Sequence, residues 1–189
     1  MNFWKLRING NDFLLFHRNK GSAEQIELCS ERFAGQPFDW IEVDIADEDI
    51  HCRIYEDGKA ACDILDAIRC CAYWYMKSYE KDRCTITHQD KSYRMKTYKN
   101  LVTLEVSQPY GEDSSEVILQ DAMHFYIESG EGEGTECMAD VYRRGYLNKE
   151  LHRIAIGEDH HGKQLLRYSN NKVYISAPVH MVFEGNIRN

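Results

Sequence analysis

Two stretches of the sequence combine residue types that can take part in chemistry, and the first is Glu158-Asp159-His160-His161. Carboxylates and imidazoles are common ligands of transition metals. Adjacent side chains of a strand point to opposite faces, however, so these four groups are not expected to converge on one ion. We therefore predict a solvated hairpin turn at this position and no metal site.

The second stretch, residues 42–49, is acidic. It lies between the predicted strands Ile41–Val43 and Ile50–Tyr55, which indicates an exposed connection. Such a loop is most often simply solvated, but its charge also suits docking of a basic partner. The candidate partner-binding residues are Asp44, Asp47, Glu48 and Asp49.

Composition narrows the class of protein. The chain has 189 residues, a net charge of −8 and seven cysteines. Negative charge repels phosphates, so we expect no direct binding of nucleic acid and favour a protein partner with a basic surface. An odd number of cysteines, without an export signal or a long apolar run, predicts reduced thiols in a cytoplasmic protein that does not enter a membrane. No feature of the sequence calls for a cofactor.

The elements that must position these residues are mostly strands. Residues 1–16 alternate apolar and polar around Gly10-Asn11-Asp12, which predicts strand, turn and strand. Apolar residues at helical spacing predict helices over residues 23–33 and Lys59–Tyr79, and a short helix is expected after Cys137. Strands arranged around two principal helices give an α+β protein. Further strands are predicted at residues 84–89, 93–98, 101–108, 124–129, 151–159, 163–169 and 172–187.

Three segments, taken in order, resemble the diaminopimelate epimerase family. The opening FWKLRINGNDF is similar to the family's first strand with its Gly-Asn-Asp-Phe motif. The segment HCRIYEDGKAACDILDAIRCC resembles the family's strand, Asp-Gly turn and helix carrying E-x-C-G-N-G-x-R-C. The closing KVYISAPVHMVFEGNI is similar to the family's last strand. The resemblance implies that family's fold, in which strands wrap around a helix.

The same resemblance implies an isomerase site, from which this chain departs. Family members invert a carbon centre with two cysteines, one removing a proton while the other delivers one. In a gapless alignment Ile64 occupies the first cysteine's position, and Leu65, Asp66 and Ala67 replace a Gly-Asn-Gly run that approaches the substrate carboxylate. An isoleucine cannot transfer a proton, and Asp66 would repel a carboxylate.

The segment that resembles the family's second active-site motif does keep a cysteine. IESGEGEGTECMAD resembles the family's second motif, with Cys137 at the other catalytic position and Asp140 in the anion cradle. By resemblance, Asn11, Asp66 and Glu128 are the substrate-binding positions, and Cys137 is the candidate catalytic residue. The ordinary interpretation of Cys137 is a small, half-buried residue at a helix start, because free cysteines pack like small hydrophobes.

We expect residues 1–106 to form a nearly complete epimerase-like N-terminal lobe. Residues 107–189 are expected to form a reduced C-terminal lobe, shortened around residues 107–122, with its last strand returning toward the first lobe. The predicted function is non-catalytic: a binding or inhibitory protein that uses its acidic surface, for example to block a basic nucleic-acid-binding partner.

The alternative function is isomerisation, epimerisation or racemisation of a small amino acid or related acid, with Cys137 as an acid–base group. The family's phenazine-pathway branch isomerises without the cysteine pair, which keeps this alternative open. An enclosed polar pocket at Asp66 and Cys137 would favour the enzyme. A filled cleft with an acidic patch elsewhere would favour a binding protein.

Overall fold

The computed structural model describes residues 2–17, 39–46, 49–55, 64–106, 116–128, 134–159 and 162–186. These residues form two helices, α1 (Ile64–Ser78) and α2 (Thr135–Leu147), and a single sheet. The strands are β1 (Asn2–Ile8), β2 (Asn11–His17), β3 (Trp40–Ala46), β4 (Asp49–Tyr55), β5 (Arg83–His88), β6 (Lys91–Tyr98), β7 (Leu101–Val106), β8 (Glu116–Asp121), β9 (His124–Glu128), β10 (Ile154–Asp159), β11 (Gly162–Ser169), β12 (Lys172–Pro178) and β13 (His180–Asn186).

The sheet is continuous, in the order β13-β1-β2-β3-β4-β5-β6-β7-β12-β11-β10-β9-β8. Parallel strands need a crossover connection, and each helix supplies one: α1 between the parallel strands β4 and β5, and α2 between β9 and β10. The helix α1 packs against strands β1 to β7, whereas α2 packs against β10 to β12. The α+β class expected from the alternating runs is confirmed.

The β1–β2 hairpin places the first site residue. Asn9 and Gly10 both have positive φ, 48° and 81°, which is the backbone of a type I′ turn and the reason that Asn-Gly favours it. The turn therefore lies one residue earlier than predicted, because Asn11 already pairs with Ile8 as the first residue of β2. Both asparagine side chains are thus held beside the same tight turn.

The helix α1 is buried along most of its length. The helical spacing predicts that five residues face the core: Ile64, Ile68, Cys71, Ala72 and Tyr75. Ile68, Cys71 and Ala72 are fully buried and Tyr75 is half-buried, but the prediction is wrong for Ile64, which is 39% exposed at the first position of the helix. Trp74 packs against Trp4 with ring centroids 5.0 Å apart, so it belongs to the core. Among the described residues, no helix is long and apolar enough to cross a membrane.

Several predicted elements are found with changed bounds. The helix expected after Cys137 begins two residues before it, at Thr135, because Gly134 with φ 106° turns the chain into the helix. A strand, β8, lies in the stretch where we expected only a shortened region. The predicted helix at residues 23–33 lies outside the described residues, as do residues 59–63 of the second one.

The last strand, β13, pairs antiparallel with β1, and β7 pairs with β12. The two ends of the chain are therefore joined within the sheet. The division into lobes at residue 106 stays a prediction.

Candidate functional site

An ion pair is buried where the N-terminal ends of α1 and α2 approach each other. Asp66 lies in the first turn of α1, and Arg69 lies three residues later on the same face of the helix. Their side chains form a salt bridge through Arg69 Nη2 and Asp66 Oδ1, with side-chain exposures of 0% for Arg69 and 1% for Asp66. The start of a helix favours negative charge, so its dipole supports the Asp66 carboxylate.

The Arg69 guanidinium connects α1 to two further elements. Its Nη1 donates to Gln164 Oε1 of β11 at 2.7 Å, and its Nη2 also donates to Thr135 Oγ1 of α2 at 2.6 Å. Gln164 Nε2 donates to the same hydroxyl at 3.4 Å. All three side chains are buried. The guanidinium is therefore a fixed polar link between α1, α2 and β11.

The Asp66 carboxylate is also held from the β1–β2 hairpin. Asn9 Nδ2 lies 3.1 Å from Oδ1 and 3.3 Å from Oδ2, and Asn11 Nδ2 donates to Oδ2 at 3.2 Å. Two amides and a guanidinium thus converge on one carboxylate. We call the set Asn9, Asn11, Asp66, Arg69, Thr135 and Gln164 the Asp66 network.

The structure brings some of the predicted site residues together and leaves others apart. Asn11 and Asp66 are in direct contact. Cys137 is the third residue of α2, two positions after Thr135, and only 7% exposed. Glu128 is exposed at the end of β9 and takes part in none of the hydrogen bonds of the Asp66 network. Its predicted role in substrate binding stays a prediction.

The chemistry of the Asp66 network is that of a carboxylate-binding site. Amide and guanidinium donors recognise a carboxylate through charge-assisted hydrogen bonds. Here, however, the carboxylate is a side chain of the chain itself. At the position aligned with the family's first cysteine, Ile64 offers no ionisable group. The described side chains therefore show anion recognition that is satisfied internally.

Burial governs the thiols of α1. Burial in the core raises the pKa of the Cys70 and Cys71 thiols well above the ordinary range. Burial also raises the pKa of Cys84, at the edge of this core, to about 12. A thiol is a nucleophile or a base only as the thiolate, so we expect these three cysteines to be unreactive at neutral pH.

The acidic stretch is folded differently from our prediction. Strands β3 and β4 pair as far as Ala46 and Asp49, so the connection between them is reduced to residues 47–48. Asp44 is therefore a half-buried strand residue opposite His51, and the expected exposed loop at this position is wrong. Asp49 is exposed at the start of β4. Asp47 and Glu48 lie outside the described residues.

A groove opens beside this acidic pair of strands. It has a volume of about 590 Å³, and its lining includes Glu42, Asp44, His51 and Tyr55. The Tyr55 hydroxyl donates to Glu42 Oε2 at 3.2 Å, which fixes one of the two carboxylates. The groove is also lined by Arg53, which lies opposite Glu42 in the β3–β4 ladder, so two carboxylates and one guanidinium face it.

The stretch from Glu158 is only partly the solvated turn that we predicted. Asp159 is the last residue of β10 and is 5% exposed, because its Oδ1 accepts a hydrogen bond from the Gly162 backbone N–H at 3.0 Å. Gly162, with φ 144°, lies against the hairpin turn of the Asp66 network: a Cβ there would be 3.7 Å from Asn9 Cα. His160 and His161 lie outside the described residues. No group of three or more potential metal ligands occurs in the part of the chain that the structure describes.

Four members of the Asp66 network were not singled out from the sequence, although each carries a signal. Arg69 is a charged residue inside an otherwise apolar helix, and Gln164 occupies an inward position of an alternating strand. Asn9 precedes Gly10 in a hairpin, and Thr135 is the first residue of its helix. A buried arginine needs hydrogen-bond partners, so polar residues at inward positions of other elements are the candidates for that role.

Comparison with known proteins gives a fold. No protein-family model matches the sequence, and no curated protein matches it. Solved structures do match over essentially the whole chain. They include a phenazine biosynthesis protein of the PhzF family from Enterococcus faecalis, with 9% identity, a TM-score of 0.64 and coverage of 100% of this chain and 99% of that one.

Two further matches extend the comparison. A PhzC/PhzF-type phenazine biosynthesis protein from Clostridium difficile has 11% identity and a TM-score of 0.65, with both chains fully covered. A hydroxyproline epimerase from Agrobacterium vitis has 6% identity and a TM-score of 0.50, with 98% of this chain and 91% of that one covered. At such identities the likeness is one of fold alone. The chain therefore shares the fold of these PhzF-family and epimerase structures.

Proposed function

We propose that this chain is a shortened, divergent relative of diaminopimelate epimerase that no longer catalyses, and that it acts as a binding or inhibitory protein through its acidic surface. The observation that carries the proposal is the Asp66 carboxylate. It accepts hydrogen bonds from Asn9 and Asn11 and is ion-paired with Arg69. By resemblance, Asn11 is the residue that should hold a substrate.

A substrate carboxylate would have to displace Asp66 from these donors. Breaking a buried ion pair while leaving one charge in place costs about 3–5 kcal/mol. The displaced Asp66 would also repel the incoming anion, because the two negative charges would share one small site. Binding of an acidic substrate is therefore opposed twice, by the lost pair and by repulsion.

The carboxylates of β3 and β4 support the binding half of the proposal. Glu42 and Asp44 line a concave surface of about 590 Å³, and Asp49 is exposed on the adjoining strand. With a net charge of −8, the whole chain attracts a basic protein. The carboxylates of Glu42, Asp44 and Asp49 outnumber Arg53, the one arginine of the groove, and offer a contact for a lysine or arginine side chain. A partner that itself binds nucleic acid has the basic surface that such a contact requires.

The proposal is tested by neutralising the acidic surface and capturing the partner from the native cell. The test variant changes Asp44, Asp47 and Asp49 to Asn and Glu48 to Gln. The matched control removes four exposed carboxylates elsewhere, with Asp82 and Asp90 changed to Asn and Glu80 and Glu150 to Gln. Because Asp44 is half-buried in β3, a triple variant that keeps Asp44 separates a folding defect from a binding defect.

We expect the test variant to lose a basic protein that the control variant retains. The triple variant, which keeps Glu42 and Asp44, should bind that protein more weakly than the control variant does. The captured complex should also weaken with salt, since steering by net charge is screened within about 10 Å at 0.1 M. Retention of the same partner by the test variant, with the same salt response, would show that this surface is not the interface.

The alternative function, isomerisation of a small amino acid or related acid, rests on two observations. One of the solved structures with this fold is a hydroxyproline epimerase, and Cys137 lies in the first turn of α2, where a helix favours a thiolate. Against it stand the burial of Cys137 and the absence of an ionisable group at Ile64. Solvent exchange at the substrate's Cα distinguishes the two functions.

A further inference from the structure

A cluster of cations lies on the sheet face that points away from the helices. Arg83 of β5 and Arg94 and Lys96 of β6 line a cavity of about 400 Å³ together with Thr85, Thr103 and Tyr174. Neighbouring residues of these strands belong to the opposite face of the sheet, where Met95, Ile86 and Leu104 are buried in the core. Period-two alternation therefore collects the cations on one surface.

The register places like charges against each other. Arg83 is directly opposite Lys96 in the antiparallel β5–β6 ladder, and Arg94, opposite Thr85, is two residues along the same strand as Lys96. Like charges directly opposite on one sheet face destabilise the pairing. The chain has a net charge of −8, so this local cluster of positive charge is opposite in sign to the protein as a whole. An anion bound between the three side chains would relieve their repulsion.

Glu105, the acidic residue that lines this cavity, does not neutralise the three cations. Glu105 is engaged by Lys172 of β12 in a short salt bridge. Arg94 makes no ion pair within the described part of the chain, and the carboxylate nearest to Arg83 is that of Asp82 at 3.9 Å, with both side chains more than 80% exposed. Such an exposed pair contributes little. Arg94 and Lys96 thus face the cavity without an ion pair among the described residues, and the one carboxylate that lines it, Glu105, is shared with Lys172.

An aromatic ring completes the cavity. Tyr174 lies within cation–π distance of two cations, with Lys96 Nζ 6.0 Å and Arg167 Cζ 5.0 Å from the ring centroid. These contacts hold Lys96 and Arg167 beside the cavity. The Thr85 hydroxyl is an additional hydrogen-bond donor at the cavity, whereas the Thr103 hydroxyl shares a hydrogen bond with Ser176 at 2.8 Å.

We propose that this cavity binds a small phosphate-bearing molecule of nucleotide size. Guanidinium and ammonium groups that converge with hydroxyl donors are the chemistry that recognises a phosphate ester. A volume of about 400 Å³ is in the range of small-molecule sites. A small ligand is favoured over a nucleic-acid strand, because the rest of the chain is acidic and would repel a long polyanion.

The test is titration calorimetry of the full chain at low salt with adenosine monophosphate, inorganic phosphate and adenosine. We expect adenosine monophosphate to bind, inorganic phosphate to displace it, and adenosine, which lacks the phosphate, not to bind. Arg94→Gln and Lys96→Gln should each weaken binding roughly tenfold, the loss of one charge-assisted hydrogen bond. Arg143→Gln, the same change at an exposed site of α2, should leave the affinity within about twofold.

Circular dichroism serves as the control for folding. We expect each variant to be folded, because Arg94 and Lys96 are exposed. The proposal is overturned if neither phosphate probe binds at millimolar concentration, or if adenosine binds as well as its monophosphate. Equal affinity of Arg94→Gln and the unchanged chain would also overturn it. Tight binding of a short single-stranded oligonucleotide without binding of adenosine monophosphate would replace the small ligand with a nucleic-acid strand.

Discussion

The side-chain amide of Asn11 donates to the carboxylate of Asp66 at 3.2 Å, joining the start of β2 to the first turn of α1 across 55 positions of sequence. Resemblance places a substrate carboxylate near this asparagine. In this chain an internal carboxylate accepts its hydrogen bond, and the buried Arg69 completes the recognition. In the function that we propose, the position that would hold an acidic substrate in an active relative is filled in this chain by a packed polar core.

The first prediction concerns the buried ion pair. Asp66→Asn keeps the shape of the side chain but leaves the Arg69 charge uncompensated, so the free energy of unfolding should fall by about 3–5 kcal/mol. Asp90→Asn, in the exposed β5–β6 turn, is the control and should change it by less than about 0.5 kcal/mol. Urea denaturation at neutral pH measures both. A loss below about 1 kcal/mol in Asp66→Asn would mean that the pair carries little of the fold's stability.

The second prediction concerns the hydroxyl that α2 contributes to this network. Thr135→Val is nearly isosteric but removes the acceptor for both Arg69 and Gln164. Leaving buried donors unsatisfied should lower stability by about 1–3 kcal/mol. Thr85→Val, on the exposed face of β5, should be neutral by comparison. Equal stability of the two variants would contradict the buried hydrogen-bond arrangement.

The third prediction concerns thiol reactivity. Cys70 and Cys71 are fully buried with strongly raised pKa values, and Cys137 is 7% exposed, so none should react with iodoacetamide in the native state near neutral pH. Cys137 should react no faster than the half-buried Cys84, whose pKa is raised to about 12. All four should react in urea. Peptide mass spectrometry in which native Cys137 is modified well ahead of Cys84 would point to an activated thiol.

The fourth prediction concerns acid stability. Arg7 donates two hydrogen bonds to Asp12, at 2.6 and 2.9 Å, and these, with Lys5 at 2.9 Å, lower the pKa of the Asp12 carboxyl. A lowered folded-state pKa means that the stabilisation is fully present above the unfolded value of about 3.9 and is lost as pH falls through the folded value.

Asp12→Asn should therefore lose less stability than the unchanged chain when the pH is lowered from about 5 to about 2, the range in which aspartate titrates. Unfolding in urea across this pH range measures the difference. Parallel pH profiles for the two proteins would show that the ion pairs of Asp12 do not contribute to folding.

The sequence predicts the strands and the principal helix well, because alternation and helical spacing record which side of each element is buried. The Asn9-Gly10 turn follows from backbone sterics, although it lies one residue earlier than predicted. The partners of Arg69 could not be predicted in the same way. Thr135 and Gln164 lie 66 and 95 residues away and meet Arg69 only in the complete tertiary fold.

The acidic stretch shows why exposure is harder to predict than pairing. Asp44 is polar, which suggested a loop, but Val43 and Ile45 on either side of it extend β3. Asp159 was expected to be solvated and is buried, because its carboxylate accepts a backbone hydrogen bond inside the β10–β11 turn. In both cases the backbone's need for a partner outweighed the polarity of the side chain.

The most direct test of the central claim, that the former substrate position is filled by Asp66 and no longer supports turnover, is solvent deuterium exchange. The full chain is incubated in deuterium oxide with diaminopimelate and a panel of amino acids, and incorporation at Cα is followed by NMR. We predict no incorporation above a protein-free control, because Ile64 cannot transfer a proton and Asp66 opposes the substrate carboxylate. Incorporation that disappears in Cys137→Ser would contradict the account and establish the chain as an isomerase.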